Sequence, residues 1–351
     1  MSTVKKTIAL SLVVCMMFIS SACGGGGNPA GSNSEEVTYT WKMGTIYNDP
    51  ASRPDYNSFG LSMKKFVELV NEKSEGRIVI EPYYNSILGA SQELFEQLRR
   101  GELEVFYGQP MANVDSRFGA WSIPYLFSDY DAVTKAIASP DAPLFKLSQE
   151  WVRENNAELI AVGPSVFRGF FNVKHPVATV QDLRDLKVRI YEDPIVNLFW
   201  KDICNATSMP YSEVYTGLQT KTIDGLEFAD TSVVSSKYYE LGNYFTDINW
   251  QWTSGGNIII GKKFWDQLPE DLKEIVRECA WEAMEYQGIE EKKNKESAYS
   301  TLRECGVEIY ELSDEERQGW IDYARSLDSR IREAIGPETY DAVVEAVKLA
   351  K

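Results

Sequence analysis

The stretch LKVRIYEDPIVNLFWKDICNATSMPYSEVYTGLQTKTIDGLEFAD, Leu186 to Asp230, decides the fold. LKVRIY (Leu186–Tyr191) alternates apolar and basic residues, the period of a strand with one buried face. Arg189 then lies near the C-terminal end of that strand. Asp193-Pro194 opens a helix, with aspartate as the cap and proline in the first turn. Tyr211, Val214, Tyr215 and Leu218 fall at i, i+3, i+4 and i+7, which predicts a second helix with one apolar face. IDGLEFAD closes the unit as a turn and a short buried strand. The order strand, helix, helix, strand belongs to an open α/β sheet, in which ligands bind beyond the C-terminal ends of the strands. Arg189 stands at such an end.

Working outward, VTYTWKMGTI (Val37–Ile46) alternates as a strand. A helix follows with Phe59, Met63, Phe66, Val67 and Val70 on one face. RIVIEPYYNS is a second strand, ELFEQLRRG a helix ending at Gly101, and LEVFYGQP a third strand. This β-α-β-α-β order predicts a parallel sheet with right-handed crossovers. SDYDAVTKAIA and LFKLSQEWVREN read as helices. ELIAVGPSVF and RGFFNVKH read as strands joined through Gly163-Pro164, where the chain is expected to cross to a second domain. After Asp230, SVVSSKYYELG is helical, YFTDI is a strand, and GGNIIIGK is a strand returning to the first domain.

From Pro269 to about Glu304 only Gly288 could break a helix. Unbroken, that helix is roughly 50 Å long at about 1.5 Å per residue. Its first half carries an apolar stripe of Leu272, Ile275, Val276, Cys279 and Ala283, and its middle, EEKKNKE, is polar all round. A helix polar in its middle often bridges two domains across solvent. Two helices broken at Gly288 are the alternative.

A series of segments resembles the extracytoplasmic solute-binding proteins of TRAP (tripartite ATP-independent periplasmic) transporters, of the dicarboxylate-binding DctP type. They are MPYSEVYTGLQ (Met209–Gln219), DGLE (Asp224–Glu227), DLRDLKVRIYEDP (Asp182–Pro194) and RGFFNVKHP (Arg168–Pro176). Weaker matches lie in LGASQELFEQLRRGELEV (Leu88–Val105), PYLF (Pro124–Phe127) and FWDQLPEDLKEIV (Phe264–Val276). The resemblance implies a two-lobed α/β fold, periplasmic-binding-protein-like, with one long helix bridging both lobes. Residues 37–164 plus 255–293 would form lobe I, and 165–254 plus 294–351 lobe II with the C-terminal helices. It implies capture of a small organic acid, a sugar acid or dicarboxylate, by cleft closure. Delivery would be to membrane permease subunits driven by an ion gradient.

The resemblance also assigns roles. Arg189 would make a paired contact to the ligand carboxylate, since a planar guanidinium matches two oxygens as lysine cannot. Arg168, in an R-x-F-x-N pattern, matches a second family arginine, which either binds ligand or orients the partners of Arg189. Tyr211 holds a position that is aromatic in the family and touches ligand. One departure stands out. Where the family commonly writes D-G-x-E-N, this chain has Asp224-Gly-Leu-Glu-Phe228, so an aromatic replaces an amide that helps hold the carboxylate. Either the clamp is incomplete or the ligand buries an apolar part against Phe228. Without the resemblance, Arg189 reads equally as a salt bridge and Tyr211 as core. Asn48, Glu93, Gln109, Asn249 and Trp250, at loops or strand ends, are further candidates for reading ligand hydroxyls.

Enzyme signals are poor. The only histidine, His175, lies between Lys174 and Pro176 at a strand end. There is no Gly-rich phosphate loop, no G-x-S-x-G and no His-based metal motif. Neither catalysis nor a cofactor or metal is expected. A sensory lipoprotein presenting the same ligand class to a membrane receptor is the second reading, and an exported enzyme the third. The formal charge is −16, and −16 less the two leader lysines gives −18. That balance argues against nucleic acid as a partner.

The N-terminus, MSTVKKTIALSLVVCMMFISSACGGGG, places Lys5 and Lys6 before an apolar run from Ile8 to Ile19. Small residues then precede Cys23. This predicts a secretion signal over residues 1–22, short for a membrane span. Cys23 reads as a lipoprotein acylation site, followed by a flexible tether over 23–36. Ser20 stands where such sites usually have Leu, and an ordinary cleavage site with an incidental cysteine is the alternative. The protein is expected to be extracytoplasmic, in the periplasm or on the outer face of the cytoplasmic membrane, and lipid-anchored. Cys204, Cys279 and Cys305 cannot all pair, and Cys279 and Cys305 are either bridged or free. If Cys23 carries lipid, Cys23→Ser moves the protein from the membrane to the soluble fraction. Unchanged fractionation of the variant rejects the anchor.

Overall fold

In the computed structural model, which describes residues 37–350, the opening elements follow the predicted β-α-β-α-β order. Cys23, the leader and the tether lie outside the described residues. β1 (Tyr39–Gly44), α1 (Ser58–Lys73), β2 (Ile78–Tyr83), α2 (Ser91–Arg100) and β3 (Val105–Tyr107) come first. β1 pairs in parallel with both β2 and β3. Gly101 ends α2 at φ 70°, a left-handed conformation that favours glycine. α3 (Tyr130–Ala136), α4 (Pro143–Glu154) and β4 (Ala157–Val162) follow, and β4 pairs antiparallel with β10 (Asn257–Gly261). The first sheet runs β2-β1-β3-β10-β4.

The second sheet is built from the intervening chain. It comprises β5 (Val166–Asn172), β6 (Lys187–Ile190), α5 (Pro194–Trp200), β7 (Asn205–Ser208), α6 (Val214–Gln219), β8 (Gly225–Phe228), α7 (Asp230–Ser235) and β9 (Tyr244–Thr253). Its order is β11-β9-β5-β8-β6-β7, with β11 at Glu308–Tyr310. β7 has no counterpart in the sequence reading. Its residues, NATS, are polar and mostly exposed at the sheet edge, so they carry no apolar period. The predicted helix at Tyr211 begins as a 3-10 turn over Tyr211–Glu213 before α6.

After α8 (Lys262–Trp265), the long helix α9 runs unbroken from Glu270 to Glu304. Its first half, including Leu272, Val276, Ala280 and Met284, packs into one core with α1 residues Met63 and Phe66. Ala298 and Leu302 pack into another with Val214, Leu226 and Phe245. Gly288 does not break it. A Cβ there would stand 2.9 Å from Pro164 Cγ, so the glycine is a notch for the chain crossing beside it. The chain changes sheet at residues 163–165 and again at 254–256. The two crossings lie together, with Gly163 N–H donating to Gly256 O at 2.9 Å. Gln287 packs so closely against both that a Cβ on Gly163 or Gly256 would collide with it.

The polar middle of α9 is not all in solvent, contrary to the sequence reading. Gln287, Glu291 and Asn294 are buried, continuing the inward stripe of Ala283 toward Ala298. Glu291 accepts a hydrogen bond from Ser58 Oγ (2.6 Å) in the first turn of α1 and another from Thr231 Oγ1 (2.8 Å) in α7. One carboxylate thus joins helices associated with different sheets. α10 (Asp314–Ser326), α11 (Asp328–Ile335) and α12 (Pro337–Leu349) close the chain. α11 packs against both α5 and the 3-10 turn Ser116–Ser122, and α12 against α3 and α4. Cys204, Cys279 and Cys305 are free thiols, which leaves the pairing of Cys279 with Cys305 unmade. Among the described residues no helix is long and apolar enough to cross a membrane.

Burial lifts the Glu291 carboxyl from 4.5 to about 7, against the lowering effect of its two hydroxyl partners. Between those values the folded state binds the extra proton, so stability from this group is present below the unfolded value and lost as pH rises through the window. Glu291→Gln retains both hydrogen-bonding positions without the charge. It should raise stability by about 1–3 kcal/mol at about pH 8 and change it little at about pH 5. Denaturant titrations at the two pH values check this. A variant less stable at the higher pH would mean that the ionised form is the one the hydroxyls favour.

Candidate functional site

β6 lies between β8 and β7, with Arg189 opposite Leu226 on one side and Thr207 on the other. Val188 and Ile190 enter the core on one face. Arg189, on the other face, is only 3% exposed, so the strand is buried on both faces rather than one. Its Nε donates to Met209 O at 2.9 Å. Among the described residues that is its sole hydrogen bond, so its terminal nitrogens, Nη1 lying 3.8 Å from Glu227 Oε1, can donate into the cleft that it lines.

Arg168 comes from β5, where the pairing with β9 shifts register between Arg168 and Phe170. Such irregularities commonly re-aim a side chain beside a site. Its Nε donates to the Glu227 carboxylate and its Nη2 to Glu227 O, the latter at 2.7 Å. Two rings flank the guanidinium, with Tyr191 at 5.1 Å and Phe228 at 5.2 Å to the centroid. Glu227, in β8, is wholly buried. Its Oε1 lies 3.8 Å from Arg189 Nη1 and accepts no hydrogen bond.

Burial pulls Arg189 below its ordinary pKa; Glu227 opposes the fall and Arg168 adds to it. Burial acts the same way on Arg168, but the charge and hydrogen bond of Glu227 outweigh it and the net shift is upward. Both guanidinium groups stay charged, as arginine does in proteins. Asp193 caps α5, accepting from Ile195 N (2.7 Å), Val196 N (3.1 Å) and Ser122 Oγ (2.9 Å). Burial raises its carboxyl to about 6.

These groups form one wall of a cleft of about 370 Å³, within the usual range for small-molecule sites. Tyr47, Phe59, Ser91, Gln92, Gln109 and Met111, from the part of the chain that builds the first sheet, form the facing wall. The Tyr47 and Phe59 rings stack at 4.3 Å. Burial raises the Tyr47 hydroxyl well above its ordinary value, so it stays neutral.

Of the residues singled out from sequence, Arg168, Arg189, Tyr211, Phe228 and Gln109 come together at this cleft. Asn48 instead lines a small adjoining cavity of about 30 Å³, shared with Tyr211, Phe228 and Glu291. Glu93 turns back to accept the Ala90 N–H at 3.0 Å, and its neighbours Ser91 and Gln92 line the cleft in its place. Asn249 and Trp250 do not line it. The sequence reading ended their strand at Ile248, but β9 continues to Thr253, and Thr253 is the β9 residue that reaches the cleft. Trp250 is fully buried, stacked on Phe199 at 4.7 Å. His175 is not among the lining residues. Sequence reasoning missed Tyr47 and Tyr191, and took Asp193 as a helix cap only. Tyr191 had a signal: it continues the outward end of the strand that carries Arg189. The described residues hold no cluster of metal ligands.

Residues 51–333 match the bacterial extracellular solute-binding protein family 7, DctP. A C4-dicarboxylate-binding periplasmic protein DctP from Rhodobacter capsulatus is 28% identical over 82% of this chain and 86% of its own. Among solved structures, the sugar acid binding protein DctPAm from Advenella mimigardefordensis, in complex with galactonate, superposes with a TM-score of 0.81. It is 25% identical and covers 90% of this chain and 99% of its own. A TRAP periplasmic solute-binding protein from Haemophilus influenzae, with bound L-gulonate, also reaches 0.81 at 25% identity, covering 90% and 100%. None of these three is described as a sensor or an enzyme. The match spans most of the chain, its fold and its cleft-bearing strands, and the protein belongs to family 7 of the bacterial extracellular solute-binding proteins, the DctP type that serves TRAP transporters, and is a binding protein rather than an enzyme.

Proposed function

We propose that this protein captures a small organic acid, a sugar acid or a dicarboxylate, by anchoring one carboxylate on the terminal nitrogens of Arg189. The observation that carries the reading is the state of that side chain. It is buried and held at Nε by Met209 O, and among the described residues its two terminal nitrogens make no hydrogen bond, Nη1 standing 3.8 Å from Glu227 Oε1. A carboxylate presents two oxygens at the spacing that such a fork accepts. Arg168, fixed between Tyr191 and Phe228 and paired with Glu227, supports the anchor through its charge. Tyr211, Phe228 and Gln109 enclose the rest of the ligand. The ligand classes come from the relatives, which bind galactonate, L-gulonate and, by name, C4-dicarboxylates.

In this reading two lobes, residues 37–164 with 255–293 and 165–254 with 294–351, close over the ligand about the paired crossings. The closed form presents it to the permease subunits of a TRAP transporter. Acylation of Cys23 would hold the protein at the membrane, a reading supported by the leader and tether sequence alone.

Calorimetry with galactonate, L-gulonate and succinate tests the anchor. Removing a guanidinium from a buried carboxylate costs roughly 2–5 kcal/mol. Arg189→Ala should therefore weaken whichever of these binds by about 30-fold to several thousandfold. Arg189→Lys keeps the charge but loses the paired geometry, and should stay clearly impaired. Melting of the unliganded variants separates lost binding from lost folding. A folded Arg189→Ala protein binding within a few-fold of wild type would falsify the anchor.

A further inference from the structure

We infer that the cleft selects polyhydroxylated monocarboxylates of the aldonate class over dicarboxylates, because its wall offers one guanidinium with unbonded terminal nitrogens, Arg189, while its other cation, Arg168, is already paired with Glu227. This deepens the reading above and rests on it. Arg168 and Arg189 share the single charge of Glu227, which leaves one positive charge in the buried cluster. The other charged side chains lining the cleft are Glu192 and Asp193, both acidic. Among the described residues no lysine, histidine or further arginine lines it. Asp193, with its carboxyl near 6, is an anion at neutral pH.

A helix N-terminus could in principle hold a second carboxylate. Ser91 and Gln92, at the start of α2, do line the cleft. The Glu93 carboxylate, which accepts the Ala90 N–H, already places a negative charge at that terminus. A second ligand carboxylate would thus be desolvated beside like charge, the arrangement that most disfavours ionised groups. Hydroxyls meet the opposite situation. Gln92, Gln109 and Thr253 line the cleft, and their side chains make no hydrogen bond among the described residues. Each can both donate and accept, which suits a chain of hydroxyls.

The test is calorimetry near neutral pH with galactonate, galactarate and succinate. Galactarate keeps the six-carbon chain of galactonate and replaces its terminal hydroxymethyl group with a second carboxylate. Galactarate and succinate should each bind at least about 30-fold more weakly than galactonate. Asp193→Asn removes the acidic charge while keeping a side chain able to cap α5, and should narrow the galactonate-to-galactarate ratio several-fold. If galactarate or succinate binds as tightly as galactonate, the selectivity is wrong while the Arg189 anchor stands. An unchanged ratio in Asp193→Asn overturns the charge argument. If none of the three binds, both readings fall.

Discussion

Glu227 is a fully buried carboxylate placed between two arginines, and the rest of the site depends on how its charge is divided. β5, β8 and β6 are adjacent in the second sheet, and they carry Arg168, Glu227 and Arg189 in that order. Three charges are therefore held together by backbone ladders rather than by flexible loops. Breaking a buried ion pair is costly because it strands a charge away from water. One carboxylate cannot fully serve two guanidinium groups. Arg168 takes Oε2 and the main-chain carbonyl, while Arg189 stands 3.8 Å from Oε1 and leans on Met209 O. The excess is localised on the arginine at the strand end. A ligand carboxylate would there complete a cluster that the fold leaves one anion short.

Phe228 follows from the same arrangement. An asparagine at this position would offer an amide to the ligand. The phenyl ring instead packs against Arg168, as the Tyr191 ring does, and Tyr211 stacks on Phe228 at 5.8 Å. Cation–π contacts of this kind are worth about 0.5–2 kcal/mol each. With two rings against it and two nitrogens bonded to Glu227, Arg168 has little freedom to turn toward a ligand. The substitution therefore leaves no hole in the site. On the proposed reading, it gives Arg168 a supporting role and leaves the direct contact to Arg189.

Most of the fold was legible because burial writes a period into the sequence. The opening β-α-β-α-β unit, the Asp193 cap and the Gly101 terminus all rest on local rules, and each stands where those rules place it. From local rules alone the cleft was legible at Arg189, a charged residue at the end of an apolar strand; Arg168, Tyr211 and Phe228 were legible through the family resemblance. Asn249 and Trp250 were misplaced because NWQW has no clean alternation, and Asn249 sits at φ 45° inside a strand that continues past it. Glu291 was hidden by its neighbours. In EEKKNKE one buried glutamate looks like another solvated charge, and its partners, Ser58 and Thr231, are far away in sequence. Its spacing from Gln287, Asn294 and Ala298 was the available signal, since a polar residue can occupy an inward position when hydroxyls meet it.

That stripe on α9 bears on how the cleft could close. Rotation of one sheet relative to the other would bend the two crossings and strain α9, which packs into a core on each side. At the crossings the contacts are soft. Gln287 is packed against Gly163 and Gly256, yet its side-chain amide bonds to no protein group, so the glycine backbones are not tied to it. One helical turn further on, Glu291 is tied on both sides, to Ser58 and to Thr231. The small cavity beside Glu291 is lined by Tyr47, Phe59, Tyr211 and Phe228, which also line the main cleft. Motion about the crossings is thus limited from directly beneath the ligand site. If the cleft closes as proposed, a loose contact at Gln287 beside a bonded one at Glu291 would allow rotation while limiting its extent, which is what a hinge requires of the residues that absorb it.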